Sequence, residues 1–366
     1  MHDPLPSPDH PLVSAVIPTH GRPGLLGCAV RSALHQTWPN MEVIVVVDGP
    51  DPATASQLEA LADPRLRTVY LPEAGGGGAA RNAGVRAARG EWIAFLDDDD
   101  EWHPEKIGRQ MAAVAKNRDW FPIVTCRLIA KSGHPASLLA GVKQSGHAAS
   151  LLAGMKQSST ASRVLPRRVY ETPQPVADYL FCRTGLFDPG GLMQTSTLLA
   201  PRDLLLAIPF REGLRLHQDW DWLIRAAAHE GVGIVMVAKP LVIWHVEDGR
   251  DSVSRNASWQ TSLDWIREIR PLISARAFSS FVAVQCAWRA QRSHADLRAR
   301  LDILRAFLVE GHADWLSTLH FLLFSVLPTR LRRSLRDTVR KDVDRGGLSL
   351  AFAREPAAAT LRKSSV

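Results

Sequence analysis

Short apolar runs alternate with segments of helical spacing along the first 116 residues. Met41 to Val47 (MEVIVVV) is a nearly continuous apolar run, as expected of a strand covered on both faces. Arg22 to Gln36 instead repeats its apolar residues at the spacing of one helix face. The predicted strands are Val13 to Ile17, Met41 to Val47, Arg67 to Leu71 and Trp92 to Leu96, and the predicted helices are Arg22 to Gln36, Ala53 to Leu61, Ala79 to Ala88 and Pro104 to Lys116. This order predicts an α/β fold with a mainly parallel sheet wrapped by helices.

Strand signals end near Ser258, and the following residues favour helices. HPASLLAGVKQS (134–145) recurs almost unchanged as HAASLLAGMKQS (147–158), and we interpret this tandem duplication as an insertion in a surface loop. The predicted organisation is a disordered lead (1–11), an α/β domain (12–255) with the duplicated loop insertion (131–162), a helical C-terminal region (256–345) and a flexible tail (346–366).

The fourth predicted strand ends in four aspartates, Asp97 to Asp100. Ligands of such sheets bind beyond the carboxyl ends of the strands, so these carboxylates lie where a ligand is expected. Alternate side chains point the same way at a strand end, which predicts that Asp97 and Asp99 converge while Asp98 faces away. Two converging carboxylates suit Mg²⁺ or Mn²⁺, with phosphate oxygens completing the coordination. The alternative is a solvated acidic turn that caps the next helix.

Charge and cysteine content narrow the possible binding partners and the possible kinds of cysteine site. The 366 residues include 44 Lys and Arg against 37 Asp and Glu, and the net charge of +7 suits nucleic acid, an anionic membrane or phosphorylated substrates. The four cysteines are far apart and form no CxxC pair, which argues against a zinc knuckle or a disulfide framework. No signal peptide and no apolar run long enough to span a bilayer is visible, so we expect a cytoplasmic protein.

Three segments in this order, VSAVIPTHGR, VIVVVDGP and GGGGAARNAGVRAARGEWIAFLDDDDEWHPEKI, resemble the nucleotide-sugar domain of family 2 glycosyltransferases. The resemblance is dense over residues 13 to about 110 and looser to about 255. It implies the GT-A fold, a Rossmann-like and mainly parallel sheet, and an inverting transferase with a nucleotide-sugar donor, commonly a UDP-sugar. It also implies that Asp97-x-Asp99 is the DXD element, in which Asp99 holds the divalent metal, Mn²⁺ or Mg²⁺.

The resemblance also implies the nucleotide contacts. Asp48 matches the aspartate that bonds the nucleobase, and Asp97 is expected at the ribose or a neighbouring basic group. The full predicted nucleotide-binding set is Pro18, Thr19, Arg22, Asp48, Arg81, Asp97 and Asp98. His20-Gly21 stands where the family usually has Asn or Glu. GGGG (75–78) is not a GxGxxG fingerprint, and we interpret it as a flexible loop whose backbone lies near the ligand.

A second constellation is LHQDWDWLIRAAAHEG (216–231), whose apolar spacing predicts an amphipathic helix with Asp219 at its start. An acid there is stabilised in its ionised form by unpaired N–H groups, so a plain N-cap is one reading. The segment resembles the family's Glu-Asp pair, whose aspartate takes the proton of the acceptor hydroxyl. Gln218 replaces the glutamate here. We predict Asp219 as the catalytic base and Asp221 as a helper or structural partner.

The remaining candidates carry less specific signals. His245 is predicted as a further metal ligand or diphosphate donor, with a structural histidine as the alternative. Arg250 and Arg255 are candidate phosphate contacts or simply solvated. The predicted acceptor-binding residues are Gln194, Thr195, Trp220 and Asp221.

The last predicted helix places Leu331, Leu335, Val339 and Val343 at every fourth position, with six arginines and Lys341 mostly on its other faces. Such a helix either lies peripherally on the inner face of the plasma membrane, which suits a lipid-linked acceptor, or packs with its charged face in solvent. Nucleic acid is not expected, because the basic residues lack an aromatic stacking platform.

Together these observations predict a metal-dependent inverting glycosyltransferase of the hexosyl type that acts on a hydroxyl of a glycan or lipid-linked acceptor in bacterial polysaccharide or glycoconjugate synthesis. A phosphohydrolase with a strand-end DxD is disfavoured, because its aspartates would follow the first strand. A non-catalytic sugar-nucleotide or glycan-binding module stays open because of Gln218.

Overall fold

The computed structural model describes residues 10–117, 121–132, 162–186, 188, 190–246, 258–327 and 331. Within these residues nine strands form one mixed sheet. The strands are β1 (Val13–Thr19), β2 (Met41–Val47), β3 (Leu66–Tyr70), β4 (Trp92–Phe95), β5 (Asp100–Trp102), β6 (Phe121–Ser132), β7 (Arg163–Leu165), β8 (Leu199–Pro201) and β9 (Val232–Val246). Their order is β3-β2-β1-β4-β8-β6-β9-β5, and β7 pairs with β6 outside that path.

The helices divide into two groups. Those that accompany the sheet are α1 (Pro23–Leu34), α2 (Pro52–Glu59), α3 (Gly76–Ala87), α4 (Lys106–Ala115), α5 (Val176–Phe181), α6 (Arg202–Ala207) and α7 (Gln218–Ala227). Those of the C-terminal region are α8 (Trp259–Glu268), α9 (Ala275–Phe281), α10 (Ala287–Arg292), α11 (Leu297–Arg305) and α12 (Trp315–Val326). Among the described helices, none is long and apolar enough to cross a membrane.

The parallel half of the sheet explains the continuous apolar runs of the sequence. β1 pairs in parallel with β2 and β4, and β2 pairs in parallel with β3. All seven residues of β2 are buried, because helices cover both faces of this half. One hydrophobic core lies under α1 and α4, and the other lies under α3, α5 and α7.

The C-terminal helices extend the second core. Leu263 of α8, Phe278 of α9 and Ala287 of α10 are buried in the same cluster as Trp222 of α7. Four helices of this region, α8, α9, α11 and α12, begin at a Ser or Asp cap that accepts from an N–H of the first turn. Asp314 and Ser317 form a reciprocal capping box at α12. The helical region therefore packs directly against the α/β part, while the predicted domain boundaries stay predictions.

The structure confirms the four predicted strands and four predicted helices of the first 116 residues, with ends that differ by a few residues. It also corrects one expectation: the glycines at 75–78 are not a flexible loop, because α3 begins at Gly76. A Cβ on Gly78 would lie 2.7 Å from the carbonyl oxygen of Arg211. These glycines therefore let the first turn of α3 approach the loop before α7. The duplicated segment, 134–158, lies outside the described residues.

Gly84 provides a test of this packing. A Cβ on Gly84 would press on Val16 Cγ1 and lie 3.1 Å from Val46 Cγ2, both in the buried strands β1 and β2. We expect Gly84→Ala to lower the free energy of unfolding by about 1–3 kcal/mol, because overpacking outweighs the helix propensity of alanine. Urea denaturation measures this change.

Gly24→Ala is the matched control, because a Cβ on that helical glycine meets nothing within 4 Å. It should leave the free energy of unfolding unchanged or raise it by up to about 1 kcal/mol. Equal stabilities of the two variants would contradict the packing of α3 on the sheet.

Candidate active site

The four aspartates form a tight turn rather than a strand end. β4 ends at Phe95, and the N–H of Asp100 donates to the carbonyl oxygen of Asp97 at 3.1 Å. The side chains of Asp97 and Asp99 are 26% and 27% exposed, whereas that of Asp98 is 6% exposed and Asp100 is fully buried. As predicted, Asp98 differs from Asp97 and Asp99, here in exposure, although the residues lie in a turn and not at a strand end. Asp97 and Asp99 are thus the accessible carboxylates.

Two arginines balance the charge of this turn. Arg81 contacts Asp97 at 2.6 Å, and Arg22 contacts Asp98 at 3.2 Å and Asp99 at 3.6 Å. The hydroxyl of Thr19 also donates to Asp98 at 2.7 Å. Burial raises the pKa of Asp98 to about 6, although Arg22 lowers it. Asp98 therefore acts on the predicted nucleotide loop, Pro18 to Arg22, by holding Thr19 and Arg22.

Ser196 and Gln194 hold the acidic turn in place through hydrogen bonds. The Ser196 hydroxyl accepts from the N–H of Asp97 at 3.0 Å and donates to the carboxylate of Asp100 at 2.6 Å. The Gln194 amide donates to Asp100 at 2.9 Å, because this buried carboxylate needs donors. Gln194 therefore has a structural role at the turn, and Thr195 beside it is buried. Their predicted contacts with an acceptor stay predictions.

Asp48 organises the start of α3. Its two carboxylate oxygens accept from the N–H groups of Gly75 at 2.7 Å and Gly76 at 2.9 Å. The following helix, α2, is capped by Asp51 instead. The buried Asp48 thus ties the end of β2 to the glycine-rich start of α3, and its predicted bond to a nucleobase stays a prediction.

Arg81 joins the acidic turn to α7. Its guanidinium donates to Asp97 at 2.6 Å and to Gln218 Oε1 at 2.7 Å. Gln218 stands where the resemblance implies a glutamate. Its amide oxygen accepts from Arg81, while its Nε2 donates to the carbonyl oxygen of Leu214. Gln218 thus serves Arg81 as a neutral hydrogen-bond acceptor, without the negative charge that a glutamate would carry.

Asp219 lies one residue further along α7. One of its carboxylate oxygens accepts from the N–H of Trp220 at 2.9 Å. Burial raises the pKa of Asp219 to about 6; Arg81 lowers it and Asp97 raises it. Desolvation thus outweighs the stabilisation expected from the helix N-terminus. Asp219 follows Gln218, whose side chain contacts Arg81 beside the acidic turn, and a carboxyl group with this pKa suits proton transfer near neutral pH.

Asp221 and Trp220 face away from Asp219. Residues two apart on a helix do not share a face, and Asp221 is buried against Arg211 at 3.1 Å and Arg225 at 2.8 Å. The indole N–H of Trp265 donates to it at 3.1 Å. Of the two predicted roles of Asp221, these contacts favour the structural one. The Trp220 ring stacks on His217 with centroids 5.0 Å apart.

His245 lies inside β9 and its ring contacts Glu101. Its Nε2 lies 2.7 Å from Glu101 Oε1, and its side chain is almost fully buried. Within the described residues, no group of three or more His, Cys, Asp and Glu side chains is arranged to hold a metal. A cation here would therefore take one or two carboxylates from the protein, and the accessible oxygens of Asp97 and Asp99 fit that need. The predicted role of His245 stays a prediction.

Sequence reasoning missed Ser196, Glu101 and the acceptor role of the Gln218 amide oxygen. Ser196 and Glu101 meet their partners across sequence separations of about 100 residues or more, and no local pattern marks them. Arg250 and Arg255 lie outside the described residues, as does the basic segment after Leu331.

Comparison with known proteins agrees with this geometry. Residues 14–135 match the family model described as glycosyl transferase family 2. The chain is 25% identical over 300 residues to the amylovoran biosynthesis glycosyltransferase AmsB of Erwinia amylovora, which covers 81% of this chain and 90% of AmsB. It is 32% identical over 113 residues to the UDP-Glc:alpha-D-GlcNAc-diphosphoundecaprenol beta-1,3-glucosyltransferase WfgD of Escherichia coli, covering 31% of this chain and 45% of WfgD.

A solved structure supports the fold. S. aureus TarS 1–349 in complex with UDP superposes with a TM-score of 0.52 and 16% identity over 94% of both chains. At this identity the likeness shows the GT-A fold alone. The predicted fold class is thereby confirmed. Residues 14–135 are thus similar to family 2 glycosyltransferases, and the described residues have the GT-A fold.

Proposed function

We propose that the protein transfers a hexose, with inversion, from a UDP-sugar to a hydroxyl of a glycan or lipid-linked acceptor in bacterial polysaccharide or glycoconjugate synthesis. The observation that carries this proposal is the position of Arg81, whose guanidinium joins the accessible Asp97 to the helix that presents Asp219. The Arg81 guanidinium thus connects the proposed donor-binding edge with the helix that carries the candidate base.

The donor assignment has two supports. Pro18, Thr19, Arg22, Asp48, Arg81, Asp97 and Asp98 lie along the edge formed by β1, β2, β4 and the start of α3, where ligands of such sheets bind. The relative WfgD is named for UDP-glucose and a diphosphoundecaprenol-linked acceptor, and TarS was solved with UDP. We assign these residues to the nucleotide and its diphosphate.

A divalent cation belongs to the same proposal. Asp99, with Asp97 or His245 as a further ligand, would hold Mn²⁺ or Mg²⁺, which neutralises the charge of a diphosphate leaving group when bound. Arg22 and Arg81 add fixed positive charge beside it. With the cation bound, both arginines would also contact the diphosphate.

Asp219 is assigned as the general base. The acceptor oxygen forms a bond to the anomeric carbon while the bond from that carbon to the diphosphate breaks. The hydroxyl proton passes to the Asp219 carboxylate, and the nucleoside diphosphate leaves with the bonding electrons. Attack opposite the leaving group inverts the anomeric configuration. Trp220 and Asp221 face away from Asp219, so we assign them, with Gln194 and the buried Thr195, to supporting the acceptor side through packing and hydrogen bonds.

The Asp219→Asn variant tests this assignment. It keeps the shape of the side chain and removes its basicity, so we expect turnover to fall by about 10²–10⁴-fold. The assay is transfer from UDP-glucose or UDP-N-acetylglucosamine to an undecaprenyl-diphosphate-linked N-acetylglucosamine. UDP affinity, measured by calorimetry, should change less than about twofold.

A variant that keeps more than about a tenth of the wild-type rate contradicts the role of Asp219 as base. If the wild-type protein binds UDP but shows no turnover with any acceptor tested, the result favours the sugar-nucleotide-binding module instead.

The pH dependence follows from the raised pKa of Asp219. The base acts in its ionised form, so activity should be present above a pH of about 6 and be lost as the pH falls through that value. We expect kcat/KM to decrease about tenfold per pH unit on the acid side. Initial rates between about pH 5 and pH 8 give this profile. An acid limb near the ordinary aspartate pKa would show that Asp219 is not desolvated.

A further inference from the structure

The last two described helices expose several large apolar side chains. Leu297 is 71% exposed and Trp315 is 76% exposed. The exposed set is Leu297, Leu301, Leu304 and Leu308 along α11 and the turn after it, and Trp315, Leu322 and Val326 along α12. Clustered apolar exposure of this kind marks an interaction surface.

These side chains lie on two helix faces, and a groove lies between the two helices. The four leucines are spaced by four, three and four residues, and the α12 residues by seven and four, so each set lies on one helix face. A groove of about 230 Å³ separates the two helices. Leu297, Leu301 and Leu304 line one side of it, and Phe321 and Ser325 line the other. We call these faces and the groove the α11–α12 surface.

The charges of this surface are mainly positive. Arg298, Arg300 and Arg305 of α11 are exposed, and Arg300 also lines the groove. Asp296 is an exposed carboxylate beside Leu297, where it caps α11, and the other nearby carboxylates contact arginines outside this surface. Asp302 and Glu310 contact Arg267 at 3.0 and 2.7 Å, and Asp314 contacts Arg276 at 2.9 Å. Apolar residues flanked by arginines suit an anionic bilayer interface.

We propose that the α11–α12 surface docks on an anionic lipid bilayer. Leu297, Leu301 and Trp315 enter the boundary between headgroups and acyl chains, while the arginines of α11 contact lipid phosphates. The residues of this surface differ from those of the predicted basic helix at 331–343. The proposal concerns binding and does not depend on the transfer reaction.

The charges favour a bilayer over two protein partners, which are the segment 328–345 of this chain and a second copy of the same surface. The chain leaves α12 beside the groove, because Gln291, which lines the groove, donates to the carbonyl oxygen of Leu327 at 2.7 Å. The next residues, 328–345, contain seven Lys or Arg and three Asp. Packing that segment, or a second copy of this surface, against α11 would place like charges together. An anionic bilayer attracts both the segment and the surface.

Vesicle flotation of the full-length chain, without donor or metal, tests the proposal. We expect binding to vesicles of about 30% phosphatidylglycerol in phosphatidylcholine and little binding to pure phosphatidylcholine. The triple variant Leu297→Gln, Leu301→Gln, Trp315→Gln should lower the partition coefficient at least about tenfold, because it removes the inserted side chains. Circular dichroism confirms that it folds, since the replaced side chains are exposed.

The control variant Phe121→Gln, Leu206→Gln replaces exposed apolar residues of the GT-A domain and should bind like the wild type. Four results overturn the proposal, and the first three concern the wild type and the triple variant. These three are no binding of the wild type to anionic vesicles, undiminished binding of the triple variant, and light scattering that shows a wild-type dimer and a monomeric triple variant. Loss of binding in Arg332→Gln, Arg333→Gln, Arg336→Gln, with normal binding of the triple variant, assigns the contact to the C-terminal segment instead and also overturns it.

Discussion

Four consecutive carboxylates in one tight turn are the constraint on which the site depends. Neighbouring carboxylates repel by about 1 kcal/mol per pair in water, and by more where solvent is scarce. Arg81 and Arg22 supply opposite charge, and Thr19, Ser196 and Gln194 supply hydrogen bonds. Burial of Asp98 and Asp100 then leaves Asp97 and Asp99 as the accessible pair. The compensation comes from β1, α3 and the segment before β8, so forming the turn also assembles the edge of the sheet.

Gln218, which stands where the resemblance implies a glutamate, has a local physical consequence. Its amide oxygen accepts from Arg81, and its amide group donates to the carbonyl oxygen of Leu214, which a carboxylate could not do. Arg81 therefore contacts the carboxylate of Asp97 and a neutral amide. Asp219 keeps its place on α7, and its raised pKa comes mainly from burial. A neutral side chain at position 218 is thus sufficient for Arg81 to connect the donor edge with the helix that carries the candidate base.

The sequence predicted the parallel strands well, because a strand buried on both faces, such as β2, is a continuous apolar run. It also predicted that Asp98 differs in orientation from Asp97 and Asp99, and the structure shows Asp98 as the less exposed of the three. It did not predict that α3 begins within the glycines, because the close approach to Arg211 that favours glycine there is a tertiary contact. The supports of the turn were hidden for the same reason: Ser196 meets Asp97 and Asp100 across nearly a hundred residues. The sequence left Asp221 open between a helper and a structural role, and its contacts with Arg211, Arg225 and Trp265 favour the structural one.

The most direct measurement is calorimetric titration of UDP into the wild type and Asp99→Ala, each with and without Mn²⁺. If the turn exists to place a cation beside a diphosphate, Mn²⁺ should strengthen UDP binding to the wild type by at least about tenfold and have little effect on Asp99→Ala. Asp203→Ala, which removes an exposed carboxylate of α6, should behave like the wild type. Binding that is indifferent to Mn²⁺, or an equal Mn²⁺ effect in Asp99→Ala, would contradict the account of the acidic turn as the donor's metal site.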